Sequence, residues 1–158
     1  MTTTPVRIAL VVSRYHGFVT GRLEAGARAA LREAGLSDSD VVTWQVPGAY
    51  ELAQAAQRVA EAGECDAVVC LGCLIRGETP HFDYIASAAA DGIMRAAQAT
   101  SVPIAFGVLT TNTAEEALAR AADGPANKGR ECAAAALEMA RLYRTLPPRP
   151  PRVSGARS

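Results

Sequence analysis

An α/β fold with a four-stranded parallel sheet, doubly wound, is predicted by three observations. Short apolar runs alternate with longer helical segments four times along the chain. The runs at residues 7–13, 41–46, 67–73 and 104–109 are of strand length, and three of them are almost continuously apolar. That continuity marks parallel strands covered on both faces, joined by right-handed helical crossovers. At 158 residues the chain has room for one such domain.

Each helix has its own signal. After the first strand, Leu23, Ala27, Ala30, Leu31 and Ala34 fall on one face, as do Leu52, Ala55, Ala56, Val59 and Ala60 after the second. Residues 83–100 carry a third helix, which Gly92 weakens slightly. After the fourth strand, Thr113 and Glu116 read as a capping box, in which hydroxyl and carboxylate satisfy free backbone donors reciprocally. That helix should stop near Asp123-Gly124-Pro125. Cys132, Ala136, Met139, Tyr143 and Leu146 then place a last helix over 128–146. The domain is expected over 1–146, and 147–158 (PPRPPRVSGARS) reads as an extended or disordered tail.

Composition narrows the function. Lys plus Arg equals Asp plus Glu at 16 each, so no electrostatic footprint for nucleic acid or an anionic membrane exists. Three of the arginines lie beyond residue 145, where there is no acid, so the folded part is slightly acidic. No apolar run approaches the ~20 residues of a membrane span, and no leader pattern opens the chain, so a cytoplasmic location is expected. Four cysteines are too few and too unevenly spaced for a disulfide framework. P-loop, GxGxxG and GxSxG patterns are missing from the sequence.

Parallel sheets bind ligands beyond the carboxyl ends of their strands. The segments there are the unusual ones: Ser13-Arg-Tyr-His-Gly17, Pro47-Gly-Ala-Tyr-Glu51, Leu74-Ile-Arg-Gly-Glu-Thr-Pro-His81 and Thr110-Thr-Asn-Thr113. Both histidines and two of the four tyrosines fall in them. A crevice with polar and aromatic walls follows, suited to a polar heterocycle.

Several residues admit two readings. The turn Gly77-Glu78-Thr79 before a helix can offer backbone N–H groups and a hydroxyl to a phosphate, or Thr79 can simply cap that helix with Pro80 in its first turn. His81 can transfer protons or serve as a capping residue. Tyr15 can stack on a planar ligand or pack on its own helix. Arg120 and Lys128, the only lysine, can be solvated charges. Cys70 and Cys73 have CxxC spacing, to be weighed as a redox or zinc pair against two small buried side chains.

Taken together, VPGAYE (46–51), LGCLIRGETPHFDY (71–84), FGVLTTNT (106–113) and NKG (127–129) resemble the lumazine synthases of riboflavin biosynthesis, in the family's order and spacing. The resemblance implies a flavodoxin-like αβα sandwich, assembly as a homopentamer or a 60-subunit capsid, and association with riboflavin synthase. It implies condensation of 5-amino-6-(D-ribitylamino)uracil with 3,4-dihydroxy-2-butanone 4-phosphate to 6,7-dimethyl-8-ribityllumazine, with no metal and no organic cofactor. By position, Tyr15 stacks on the pyrimidine, Ala49, Tyr50 and Glu51 flank the ribityl chain, and Cys73, Leu74 and Ile75 present backbone groups. Glu78 and Thr79 occupy the phosphate turn and His81 the proton donor's place. Phe106 and Arg120 match residues supplied by an adjacent subunit, Arg120 holding the phosphate, and Lys128 matches a lysine near the pyrimidine carbonyl.

The chain departs from the commonest pattern at Tyr15, where Phe or Trp is usual, at His16, where Asn is frequent, and at Tyr50, where Phe is frequent. It begins only about five residues before the first strand and carries the Pro/Arg tail, and both features bear on assembly. A flavin- or lumazine-binding protein without catalysis is the alternative on the same scaffold, and it would not need the phosphate turn, His81 or Arg120.

Overall fold

The computed structural model describes residues 4–148, so positions 149–158 of the expected tail lie outside the described residues. The four strands are β1 (Ile8–Ser13), β2 (Val41–Val46), β3 (Ala67–Ile75) and β4 (Ile104–Thr111). Among the described residues five α-helices accompany them: α1 (Gly17–Glu33), α2 (Leu52–Glu61), α3 (His81–Thr100), α4 (Ala114–Arg120) and α5 (Lys128–Tyr143). All strand pairs are parallel and the order is β2-β1-β3-β4. The chain steps from β1 to β2 on one side and then crosses back over β1 to β3 on the other, so the switch point lies between β1 and β3.

Two cores account for the continuous apolar runs. Ile8, Leu10 and Val12 of β1 with Val69, Leu71 and Cys73 of β3 pack under α1, α4 and α5. Ala9 and Val11 with Val68 and Cys70 pack under α2 and α3. Strands β1 and β3 are therefore buried on both faces, each large aliphatic side chain contributing about 1.5–3 kcal/mol of hydrophobic stabilisation. The edge strands behave differently. Trp44 on β2 is 52% exposed and Phe106 on β4 is 43% exposed.

The elements run past or stop short of their sequence-predicted ends for identifiable reasons. Strands β3 and β4 extend to Ile75 and Thr111 because the ladder continues through Leu74↔Thr110 and Ile75↔Thr111 beyond the apolar stretch. Helix α3 starts at His81, two residues early, with Pro80 in the N-cap position and no side-chain cap. Thr79 is thus not the cap of α3. Helix α5 ends at Tyr143, not 146, since Thr145 and Leu146 both donate to the Leu142 carbonyl in a closing turn. The α4 start follows the capping logic with a shift: Thr113 Oγ1 accepts from Glu116 N at 3.1 Å, whereas the Glu116 carboxylate accepts from Asn112 N, one residue before the cap.

Candidate functional site

A cavity of about 770 Å³ lies at the carboxyl ends of the strands. Its walls include Tyr15, Ala49, Tyr50, Glu51, Leu74, Ile75, Thr79 and His81. These residues come from three separate strand-end segments, and the backbone explains how they meet. Arg14 N donates to the Val46 carbonyl at 2.8 Å and Tyr15 N to the Pro47 carbonyl at 3.2 Å, so the β1 and β2 exits are zipped side by side. Residues 49–51 then form one 3-10 turn leading into α2, which buries Ala49 and leaves Tyr50 and Tyr15 exposed at 58% and 64%. Exposed rings at a cavity mouth are available for stacking.

The third wall is the turn between β3 and α3. Arg76 N donates to the Thr111 carbonyl at 2.8 Å, and its side chain bonds Asn112 Oδ1 at 3.1 Å. The same guanidinium reaches Asp83 at 3.4 Å and stands 4.6 Å from the centre of the Phe82 ring. One arginine therefore ties both ends of the turn, to β4 on one side and to α3 on the other. Helix α3 has no side-chain cap; Asp83 N and Tyr84 N donate to the Pro80 carbonyl at 3.0 and 3.4 Å, which leaves the N–H groups of His81 and Phe82, both on the cavity wall beside Thr79, open at the positive end of the helix. An anion would complete them.

Sequence reasoning named these wall residues but missed others. Pro47, Gly48, Phe82 and Ile85 also line the cavity, most of them inside the same motifs, together with Gly77 of the expected phosphate turn and His16, to which sequence reasoning assigned no role. Arg76 as the brace of the turn was also missed, its signal being the place between the strand and Gly77. Asn127 is the third omission. It caps α5 by accepting from Arg130 N at 3.1 Å, and it donates to the Ala121 carbonyl at 2.9 Å and the Arg22 carbonyl at 3.3 Å. Asn127 thereby fixes where Lys128 starts α5.

Five expected residues do not line the cavity. Cys73 is buried in the core under α1 and α5, and Glu78 is exposed within the turn. Phe106 stands on the opposite sheet edge, where its carbonyl accepts a weak bond from Cys132 Sγ at 3.5 Å. Arg120, exposed at the end of α4, donates to the Glu116 carbonyl of its own helix at 3.2 Å. Lys128 pairs with Glu131 at 3.0 Å.

The CxxC pair is split by the sheet. Cys70 belongs to the core under α2 and α3 and Cys73 to the core on the other face, so their sulfurs cannot bond or share an ion. Burial pushes the Cys70 thiol up to about 12 and the Cys73 thiol up to about 11. Among the described residues no cluster of His, Cys, Asp or Glu is arranged to hold a metal, and no helix is long and apolar enough to cross a membrane.

Comparison with known proteins shows the family. The family model described as 6,7-dimethyl-8-ribityllumazine synthase matches residues 5–144. A 6,7-dimethyl-8-ribityllumazine synthase of Chlorobium phaeovibrioides (strain DSM 265 / 1930) is 49% identical over 140 residues, which cover 89% of this chain and 90% of that one. The family match spans all four strands, the braced turn and the Asn127 cap. The chain belongs to the 6,7-dimethyl-8-ribityllumazine synthase family.

Proposed function

We infer that the cavity at the strand ends is where this chain condenses 5-amino-6-(D-ribitylamino)uracil with 3,4-dihydroxy-2-butanone 4-phosphate, releasing phosphate and water. One observation carries the assignment: Tyr15, the 49–51 turn, Thr79 and His81 share a single cavity with the uncapped start of α3. Tyr15 offers a face to the pyrimidine, and Ala49, Tyr50 and Glu51 take the ribityl chain. Leu74 and Ile75, with Cys73 behind them, present strand backbone to the ring.

The reaction joins the 5-amino group to a ketone, expels water to form an imine, eliminates phosphate, and closes the ring through the ribitylamino nitrogen with loss of a second water. Each step moves protons, and His81 is the group placed to move them. The rest of the catalysis is positioning. Thr79, with Glu78 and Gly77 in the same turn, cradles the phosphate.

Among the described residues of one chain, the cavity wall holds no lysine or arginine for that phosphate, since Arg120 and Lys128 stand elsewhere. This supports a site completed by a neighbouring copy, which brings Phe106 and Arg120 and sets Lys128 near the pyrimidine carbonyl. Both sheet edges expose an aromatic, and they are unlike each other: β2 presents Trp44 over a groove of about 580 Å³, and β4 presents Phe106. Contacts between unlike surfaces close into a ring when the rotation from one copy to the next closes, and a homopentamer is such a ring. Capsid formation and association with riboflavin synthase would build on that ring. Four free thiols suit a reducing cytoplasm.

Incubating the purified protein with both substrates and following lumazine fluorescence tests the reading. Product above the uncatalysed rate is expected. A protein that binds the pyrimidine yet forms no product would instead be the non-catalytic flavin-type binder.

A further inference from the structure

His16 has a left-handed backbone, φ 58° and ψ 46°, at the N-cap of α1. Non-glycine residues rarely adopt it, and where they do at a site the strain is held by the surroundings. The backbone of His16 opens the helix, its carbonyl accepting from Val19 N at 2.9 Å and from Thr20 N at 3.1 Å. The side chain has no part in that, since it makes no cap hydrogen bond. Any residue tolerating the left-handed region could do the structural work.

The imidazole is held instead on the cavity wall. Its ring centroid lies 4.4 Å from that of Tyr15, tilted by 58°, and 5.7 Å from that of Phe18, edge-on at 88°. It is half-buried, and no described residue hydrogen-bonds either ring nitrogen. Burial lowers its pKa below the usual histidine value, and the positive end of α1 acts in the same direction. At neutral pH the ring therefore presents one N–H donor and one bare nitrogen acceptor to the cavity.

We propose that His16 is a positioning residue for the pyrimidine substrate: its neutral imidazole hydrogen-bonds the polar edge of the molecule whose ring lies against Tyr15. This rests on the assignment of the cavity given above. A ribitylaminouracil carries both donors and acceptors, so a group offering one of each matches it whichever way it leans. Other titratable groups on the same cavity are Tyr15 beside it, Tyr50 and Glu51 from the 49–51 turn, and His81 from α3, with Arg14 next along the loop. Below its lowered pKa His16 becomes a cation with two donors and no acceptor, and the pyrimidine should bind less tightly.

The test is direct titration of the pyrimidine substrate alone into the wild-type protein, His16→Gly and His16→Asn between pH 5 and 8, with a melting temperature for each. Glycine adopts φ 58° without strain, so His16→Gly should melt at or above the wild-type temperature while binding the pyrimidine about three- to tenfold more weakly, as expected for one lost hydrogen bond. Asparagine also tolerates this conformation and keeps both donor and acceptor. His16→Asn should bind nearly as wild type at pH 7.5 and should lose the acid-side weakening that the wild type shows. A stable His16→Gly with unchanged affinity would overturn the proposal, as would an Asn variant as weak as Gly. Wild-type protein that forms no lumazine would be a failure of the site assignment itself, which the product assay detects separately.

Discussion

Gly26 of α1 leaves the space that the buried Asn127 amide occupies, and a Cβ at Gly26 would collide with the Asn127 side chain. The contact joins residues far apart in the chain and locks α1 against the start of α5. Gly26→Ala should cost about 1–3 kcal/mol through overpacking. Asn127→Ala removes the α5 cap and leaves the Ala121 carbonyl unpaired, a loss of about 2–4 kcal/mol. Urea unfolding at constant slope measures both, and a change below about 0.5 kcal/mol in either would place the lock elsewhere.

His81 and Arg120 should fail differently. His81→Ala should lower turnover by about a hundredfold, the low end for general acid–base catalysis because phosphate is a good leaving group. Arg120→Ala should chiefly raise KM for the phosphate substrate. Steady-state kinetics with each substrate varied in turn separates them. Equal loss of both substrates' affinity in the two variants would contradict these roles.

The cysteines should be silent in the native protein. Burial pushes Cys65 up to about 11, with Asp66 and Glu64 adding to it, and burial alone does the same to Cys70 and Cys73. At pH 8 only about one in a thousand of a thiol with pKa near 11 is the reactive thiolate. Alkylation should be slow in buffer, should quicken as pH rises toward 11, and should become fast in urea. Rapid labelling of Cys70 in the folded protein at pH 8 would show that its strand opens.

Trp44 lies half-exposed on the β2 edge over an apolar groove walled by Val42, Ala55 and Val59. If that edge seats a neighbour, Trp44→Asp should lower the mass in light scattering toward the monomer while the isolated fold persists by circular dichroism. An unchanged oligomer would move the interface to another surface.

The fold was legible because β1 and β3 are covered on both faces, and a short, unbroken apolar run such as Ala67 to Cys73 suits a strand with no wet side. The strand-end segments were legible for the same reason: polar and aromatic residues crowd where the core ends. What escaped was long-range. Asn127 went unread as the cap of α5, and nothing near it in the sequence announces that Gly26 and Arg22 complete its surroundings. Arg76 bridges β4 and α3 through side-chain bonds that have no sequence period. Phe106, Arg120 and Lys128 were recognisable only through the family resemblance, because within one chain they serve no common cavity.

The central claim is that each catalytic site is built by two chains, and subunit mixing tests it most directly. His81→Ala and Arg120→Ala subunits would be unfolded together at equal ratio, refolded, and assayed at a low concentration of the phosphate substrate, where each variant alone is nearly inactive. If every site takes its cavity from one subunit and Arg120 from the next, about one quarter of the sites in a randomly mixed ring regain both intact groups. Activity should then return to about a quarter of the wild-type rate. Activity no greater than the mean of the two separate variants would mean that His81 and Arg120 act within the same chain, and the shared site would be wrong.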